Sequence, residues 1–133
     1  MLLFELFIPI TPRPWTVKKG RQFYNINQSY IDHVRKYIHQ HYDKEPYDCP
    51  IYCDFVHYMP IPKSISKKRQ LEFEEGRVLH MKRPDTTNLN KQMEDCLTGV
   101  IYTDDKQVIR IHGLKKYGKS TGTWVRVYEY KIY

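Results

Sequence analysis

Apolar residues recur with two different periods along this chain, and the changes of period divide it into elements. Residues 2–9 form a short apolar run bounded by Pro9 and Pro12, which predicts a buried strand. Tyr30, Ile31, Val34, Tyr37 and Ile38 then return at helical spacing, so residues 28–41 are predicted as an amphipathic helix. From Ile51 to Met59 the period becomes two. Ile51, Cys53, Phe55, His57 and Met59 make the mainly apolar face of a strand that Pro60 and Pro62 end. Leu89, Met93, Cys96 and Leu97 restore a helical stripe over residues 87–98, with Gly99 as its stop. Residues 107–114 and 123–132 read as strands again. Lys115 to Gly122 is predicted to join them as a hairpin with a basic tip.

This order predicts an α+β fold: one small domain over residues 1–133, with helices packed on a mixed or antiparallel sheet. Two stretches fall outside the scaffold pattern. Residues 11–27 mix Pro, Gly, cations and aromatics and read as a basic loop or irregular hairpin. Residues 63–83 read as a basic flap or insert carrying Lys63, Lys67, Lys68, Arg69, Arg77, Lys82 and Arg83. Within it, Ser66 is placed to cap a short helix running through Glu75, and Gly76 to end it.

Charge narrows the partner. The 133 residues carry 22 Lys and Arg against 15 Asp and Glu, a formal charge of +7, which favours a polyanion and nucleic acid first. Lys18, Lys19 and Arg21 in the first loop are candidate phosphate contacts. So are the flap cations and Lys115, Lys116 and Lys119 near the hairpin tip. No run of eighteen apolar residues exists, so no membrane span is expected. The apolar start lacks a basic leader region and carries Glu5, which leads to the expectation of a cytoplasmic protein.

Three cysteines suit a reducing compartment better than a disulfide framework. Cys49, Cys53 and His57 share a strand face but are spread over roughly 13 Å at about 3.3 Å per residue. One zinc ion needs ligands at about 2 Å, so they are expected to be structural.

The segment richest in chemistry runs from Arg83 to Lys91 and continues at Thr103-Asp104-Asp105. Asp85 falls at a helix start, where backbone N–H groups favour an ionised carboxylate. At about 100° per residue, Thr87, Asn88, Lys91 and Asp95 share the helix side opposite Leu89. Hydroxyl, amide, ammonium and carboxylate thus lie together. Phosphodiester hydrolysis uses such groups: carboxylates for a hard divalent cation, and a lysine for charge developing on the phosphate. From the residues alone, Asp85 is equally a helix cap, and Asp104-Asp105 equally a turn.

At these positions the chain resembles the RusA-type Holliday junction resolvases of phages and prophages. Asp85-Thr86-Thr87-Asn88-Leu89-Asn90-Lys91 is similar to that family's Asp-x-Asp-Asn-Leu-x-Lys. Asp104-Asp105-Lys106-Gln107-Val108 is similar to its Asp-Asp-x-Gln-Val. The Pro84-Asp85 junction, Glu94-Asp95-x-Leu97-x-Gly99 and Met59-Pro60-x-Pro62-Lys63 add to the likeness, which covers nearly the whole chain.

The resemblance implies an α+β homodimer that binds four-way DNA junctions and nicks two strands symmetrically. It implies Mg²⁺ as cofactor, with Mn²⁺ able to substitute, and no small-molecule cofactor. By the same likeness Asp85 and Asp105 are metal-binding carboxylates and Lys91 the catalytic lysine, with Asn88 as a polar support. Thr87 stands where the family pattern has its second acidic residue; Asp104 as a metal ligand, or Asp95 as a support, are the candidates to take over its part. His80, five residues before Asp85, is a candidate to approach the phosphate, although a solvent-facing histidine is the plainer expectation. Tyr24, Tyr58, Tyr117 and Trp15 are candidates to stack on splayed bases.

Thr87 also motivates a second reading, a junction-binding protein with weak or no cleavage. An RNA-binding module, a third reading, has only basic charge and aromatics behind it.

Overall fold

The computed structural model describes residues 1–18, 24–25 and 27–132. Strand β1 spans Leu2–Ile8, the short β2 and β3 span Val17–Lys18 and Tyr24–Asn25, and helix α1 spans Gln28–His39. Strand β4 follows at Ile51–Met59, then α2 at Lys67–Glu74 and α3 at Thr86–Leu97. A 3-10 turn at Asp105–Gln107 leads into β5 (Val108–Tyr117) and β6 (Gly122–Glu129). The sequence-predicted helices and strands are all present. The result is one small α+β domain with a mixed sheet.

Sheet order is β1-β6-β4-β5. Strands β1 and β6 pair antiparallel, as do β4 and β6, whereas β4 and β5 run parallel. The expected hairpin between the last two strands is therefore corrected. Residues 118–121 step across the end of β4, and the Gly118 N–H donates to the Met59 carbonyl at 3.0 Å. The step spans two strand spacings, about 10 Å, which a four-residue segment covers without strain. A parallel β4–β5 pair requires a crossover, and α3, which contacts β5, lies within it.

Burial along β4 alternates without a break, with Ile51, Cys53, Phe55, His57 and Met59 inside. The core also contains Val34 and Ile38 of α1, Met93, Cys96 and Leu97 of α3, and Val125 and Val127 of β6. Each fully buried aliphatic side chain contributes roughly 1.5–3 kcal/mol relative to exposure. Residues 2–9 depart from expectation: β1 is an edge strand, half-buried, with Leu2 exposed and Glu5 paired to Arg126 at 3.0 Å. The opposite face of the sheet carries Tyr52, Asp54, Val56 and Tyr58 in register with β6 and is only partly covered.

Three local features fix α3. Gly99 ends it at φ 83°, a conformation that favours glycine. Arg35 of α1 reaches across to its last carbonyls, donating to Asp95 O at 2.7 Å and Thr98 O at 3.1 Å. The Trp15 N–H donates to Asn88 O at 2.9 Å near its start. No helix among the described residues is long and apolar enough to cross a membrane.

Candidate active site

Asp85 takes the N-cap position of α3, with φ −68° and ψ 143°, yet its carboxylate makes no capping hydrogen bond. An exposed, uncommitted carboxylate beside helix N–H groups is a ready ligand for a cation. It lines a recess of about 370 Å³ with Trp15, Thr16, Arg83, Pro84 and Asn88. One turn further, Lys91 Nζ stands 4.9 Å from the centre of the Trp15 ring. The Trp15 ring is thus a partner of the lysine, a contact that spacing along the chain does not reveal.

Asp105, in the 3-10 turn before β5, lies beside the second half of that helix. With Asp95 it lines a second recess that also includes Arg35 and Thr98. Burial raises the Glu94 carboxyl, and the charges of Asp105 and Asp95 raise it further. Burial also raises Asp95, with Asp105 adding to the shift while Lys91 and Arg35 oppose it. Lys91 therefore sits between two acidic groups: Asp85 at the helix start, and Glu94, Asp95 and Asp105 along its second half. Ten residues of helix separate Asp85 from Asp95, about 15 Å along the axis.

Asp104 has structural work. Its side chain accepts the Lys106 N–H at 3.0 Å, a bond that holds the carboxyl below its ordinary value. Gln107 completes the capping box: its Oε1 accepts the Asp104 N–H at 2.7 Å, and its Nε2 donates to Tyr47 O and Cys49 O at 3.0 Å each. The glutamine of the second motif is a latch between the turn and the start of β4.

Among the described residues, no three His, Cys, Asp or Glu side chains come together to hold a metal ion. Asp85, Asp104 and Asp105 do not form such a group. That arrangement still suits one class of cation. Mg²⁺ uses one or two carboxylates and keeps the rest of its shell for water and substrate phosphate. The donors here are oxygen only, and Asp85 is uncommitted. Cys49, Cys53 and His57 form no metal group either; burial pushes the Cys53 thiol up to about 12.

The sheet side of α3 holds a buried polar contact that sequence reasoning missed. His57 Nε2 lies 2.8 Å from Asn90 Oδ1 and its Nδ1 3.1 Å from Thr123 Oγ1. With the proton on Nε2, His57 donates to the amide oxygen and accepts from the threonine hydroxyl. Asn90 precedes Lys91, so the contact fixes the motif helix on the sheet. Burial lowers His57 to about 4 from 6.5.

The sign follows from linkage. Above about pH 6.5 His57 is neutral in both the folded and unfolded states, and stability is complete. As pH falls toward 4 the unfolded state gains a proton that the folded state refuses, costing on the order of 3 kcal/mol. Melting curves between pH 7 and pH 4 should therefore show a steeper fall for the natural protein than for His57→Gln. Parallel profiles would contradict this role.

The other expected site residues divide. Thr87 is exposed and Asn88 half-buried on the outer side of α3. Lys63, Lys67, Lys68, Lys82, Arg83 and Lys119 are exposed, while Arg69 pairs with Glu72 at 2.6 Å and Arg77 with Glu75 at 2.9 Å. Lys115 points inward, donating to Lys82 O at 2.5 Å and Pro84 O at 2.8 Å. Lys116 is half-buried, with Nζ 5.9 Å from the Tyr58 ring centre. Lys19 and Arg21, and the side chains of Lys18 and Tyr24, lie outside the described residues.

His80 corrects the expectation of a solvent-facing ring: it is 7% exposed and packs 4.8 Å from Tyr117. Tyr117 is itself buried against Phe73 of α2, which removes it from the candidate base-stacking residues. In the sequence, cations surround His80 and hide the fact that β5 has an aromatic partner waiting.

The structure defines a small α+β protein with a mixed sheet and a crossover helix that carries carboxylates, an amide and an ammonium on its outer side. A family model for endodeoxyribonuclease RusA matches residues 8–128, and the chain belongs to that family. It is also 34% identical over 82 residues to the uncharacterized protein YqaN of Bacillus subtilis (strain 168). That match covers 60% of this chain and 58% of the relative, less than two thirds of its length.

Proposed function

We infer that this protein is a divalent-metal-dependent endodeoxyribonuclease that resolves four-way DNA junctions by paired nicks. Membership of the endodeoxyribonuclease RusA family supports the reaction class. The observation that carries the reading to this chain is Asp85, a carboxylate in the capping position that caps nothing. Lys91 and Asn88 lie on the same side of the helix, and the exposed Arg83 of the flap lines the recess that holds Asp85.

Asp85 would hold the cation, Mg²⁺ with Mn²⁺ as substitute, and DNA phosphate and water would complete its shell; Asp105, in the other recess with Asp95, would hold a water or a further cation there rather than serve as a second ligand of that ion. When bound, the ion at Asp85 supplies an activated water and neutralises charge on the phosphate. Lys91 stabilises the charge that develops on the reacting oxygens, with the Trp15 ring restricting its reach. Asn88 orients the phosphate. Lys63, Lys67, Lys68, Lys82, Arg83 and Lys119 bind backbone phosphates and make affinity fall with salt. A homodimer matches the two-fold symmetry of a junction, and the partly covered sheet face leaves surface for a second copy.

Incubation with a mobile four-way junction, a linear duplex and a single strand, with and without Mg²⁺, tests the reading. Cleavage confined to the junction and to the metal-containing reactions supports it. Junction retardation without cleavage in any divalent metal favours the second reading, a junction-binding protein weakened by Thr87. Equal binding to all three, with preference for RNA, overturns both. Thr87→Asp adds a carboxylate two residues from Asp85 and is expected to keep or raise the nicking rate. Loss of metal-dependent nicking in that variant would mean a site organised without position 87.

A further inference from the structure

Two large apolar side chains stand exposed among the cations of the segment that leads into α3. Leu79 is 75% exposed and Met81 86% exposed, and both lie within the run from Arg77 to Arg83 that ends two residues before Asp85. The residue between them is the reverse. His80 is buried, its ring packed on Tyr117, and Tyr117 packs on Phe73 with ring centres 4.7 Å apart. On the other side Lys115 holds the segment through the carbonyls of Lys82 and Pro84. The segment is thus anchored at its middle and at its end while Leu79 and Met81 are presented to solvent. Anchoring matters, because a backbone segment that is already ordered loses little freedom when the side chains it presents bind.

What sets this exposed pair apart is its anchored, cationic setting, and those surroundings choose an occupant for it. Arg77, Lys82 and Arg83 are all exposed around it, so an incoming surface that is both apolar and polyanionic fits. Stacked nucleic-acid bases framed by phosphates have that character. We propose that Leu79 and Met81 form a wedge that enters between base pairs at the branch point of a DNA junction. The proposal rests on the endonuclease reading above and adds a basis for substrate choice to it.

Apolar wedges between base steps have to break stacking, which costs free energy comparable to what the wedge recovers. In continuous duplex the two nearly cancel. At a crossover the stack is already interrupted, so burial of the wedge is favourable there. Phosphate contacts hold any DNA, while the wedge distinguishes branched from linear. The anchoring by His80 and Lys115 then sets the wedge at a fixed place relative to Asp85.

The test uses the natural protein and the double variant Leu79→Ser/Met81→Ser, whose substitutions are at exposed positions and leave the core intact. The probe is an immobile four-way junction with a fluorescent adenine analogue beside the crossover, bound without divalent metal. A linear duplex serves for comparison, and mass in solution is measured for both proteins. The natural protein should raise the analogue's fluorescence on binding. The variant should not, and its junction affinity should fall about tenfold or more, the size of one or two lost apolar contacts. Duplex affinity and mass should stay unchanged.

An equal loss on junction and duplex, or an undiminished fluorescence rise, would overturn the wedge. So would a change of mass, which would assign these side chains to contact between copies. If the natural protein does not prefer the junction, the endonuclease reading falls and the wedge with it. If it prefers the junction and the variant behaves identically, the wedge alone falls.

Discussion

Asp85→Asn and Asp105→Asn should each abolish junction nicking, by roughly a hundred- to a thousand-fold or more, while junction binding persists. The two substitutions keep size and shape and remove one charge each. Asp85 makes no capping bond, so its neutral amide costs α3 little stability. Asp105 adds its charge to a group in which Glu94 and Asp95 are already raised by burial, so removing it relieves repulsion. Asp105→Asn should therefore melt at or slightly above the natural temperature and Asp85→Asn at or slightly below it, and both should bind junction DNA as well or better, since less negative charge faces the phosphates. Single-turnover nicking, melting and retardation measured together check this. A variant that loses folding and cleavage together would assign the carboxylate to structure. Asp104→Asn is the contrast: its oxygen still accepts from Lys106 N–H, so nicking should survive with a slightly weakened turn.

Gly113→Ala is expected to be strongly destabilising for so small a substitution. A Cβ at Gly113 would lie 2.2 Å from Asn90 Oδ1 and 2.3 Å from its Nδ2. Asn90 would have to leave, and His57 would lose the partner it donates to. Overpacking and a broken buried hydrogen bond together cost about 3 kcal/mol, or roughly 10 °C for a domain of this size. The second readout is activity, because Asn90 precedes Lys91 and a shifted helix moves the ammonium. Asn90→Ala placed with Gly113→Ala removes the clash, so the pair should be less destabilised than the sum of the two single changes. Strict additivity of the two melting losses would show that they do not meet.

The contrast between Asp85 and His57 shows which parts of the molecule are legible in sequence. The faces of β4 and α3 were legible because side chains at period two or 3.6 report burial locally, and each predicted core position on them is buried. The Ser66 and Gly76 boundaries of α2 were legible for the same reason: a cap acts within one turn. The order of strands was not. Neighbouring runs of alternating residues suggest a hairpin, but β6 gains two partners by entering between β1 and β4, and no local pattern encodes that.

Pairings across the fold were equally hidden. His57 meets Asn90 33 positions away, and Lys91 meets Trp15 across most of the chain. Arg35, which no local pattern singles out, holds the end of α3. At the candidate site the sequence supplied the residue types and their side of the helix. Only the fold separates Asp85, whose carboxylate is uncommitted, from Asp104, which caps a turn.

The central claim is that this chain hydrolyses phosphodiesters at a branch point in symmetric pairs. It is tested most directly by mapping nicks on a four-way junction with each strand labelled separately, in the presence of Mg²⁺. Nicks in two opposing strands at two-fold related positions near the crossover, resealed by DNA ligase, are the predicted result. Unpaired nicks scattered along the arms, or intact strands in every divalent metal despite tight junction binding, would contradict it.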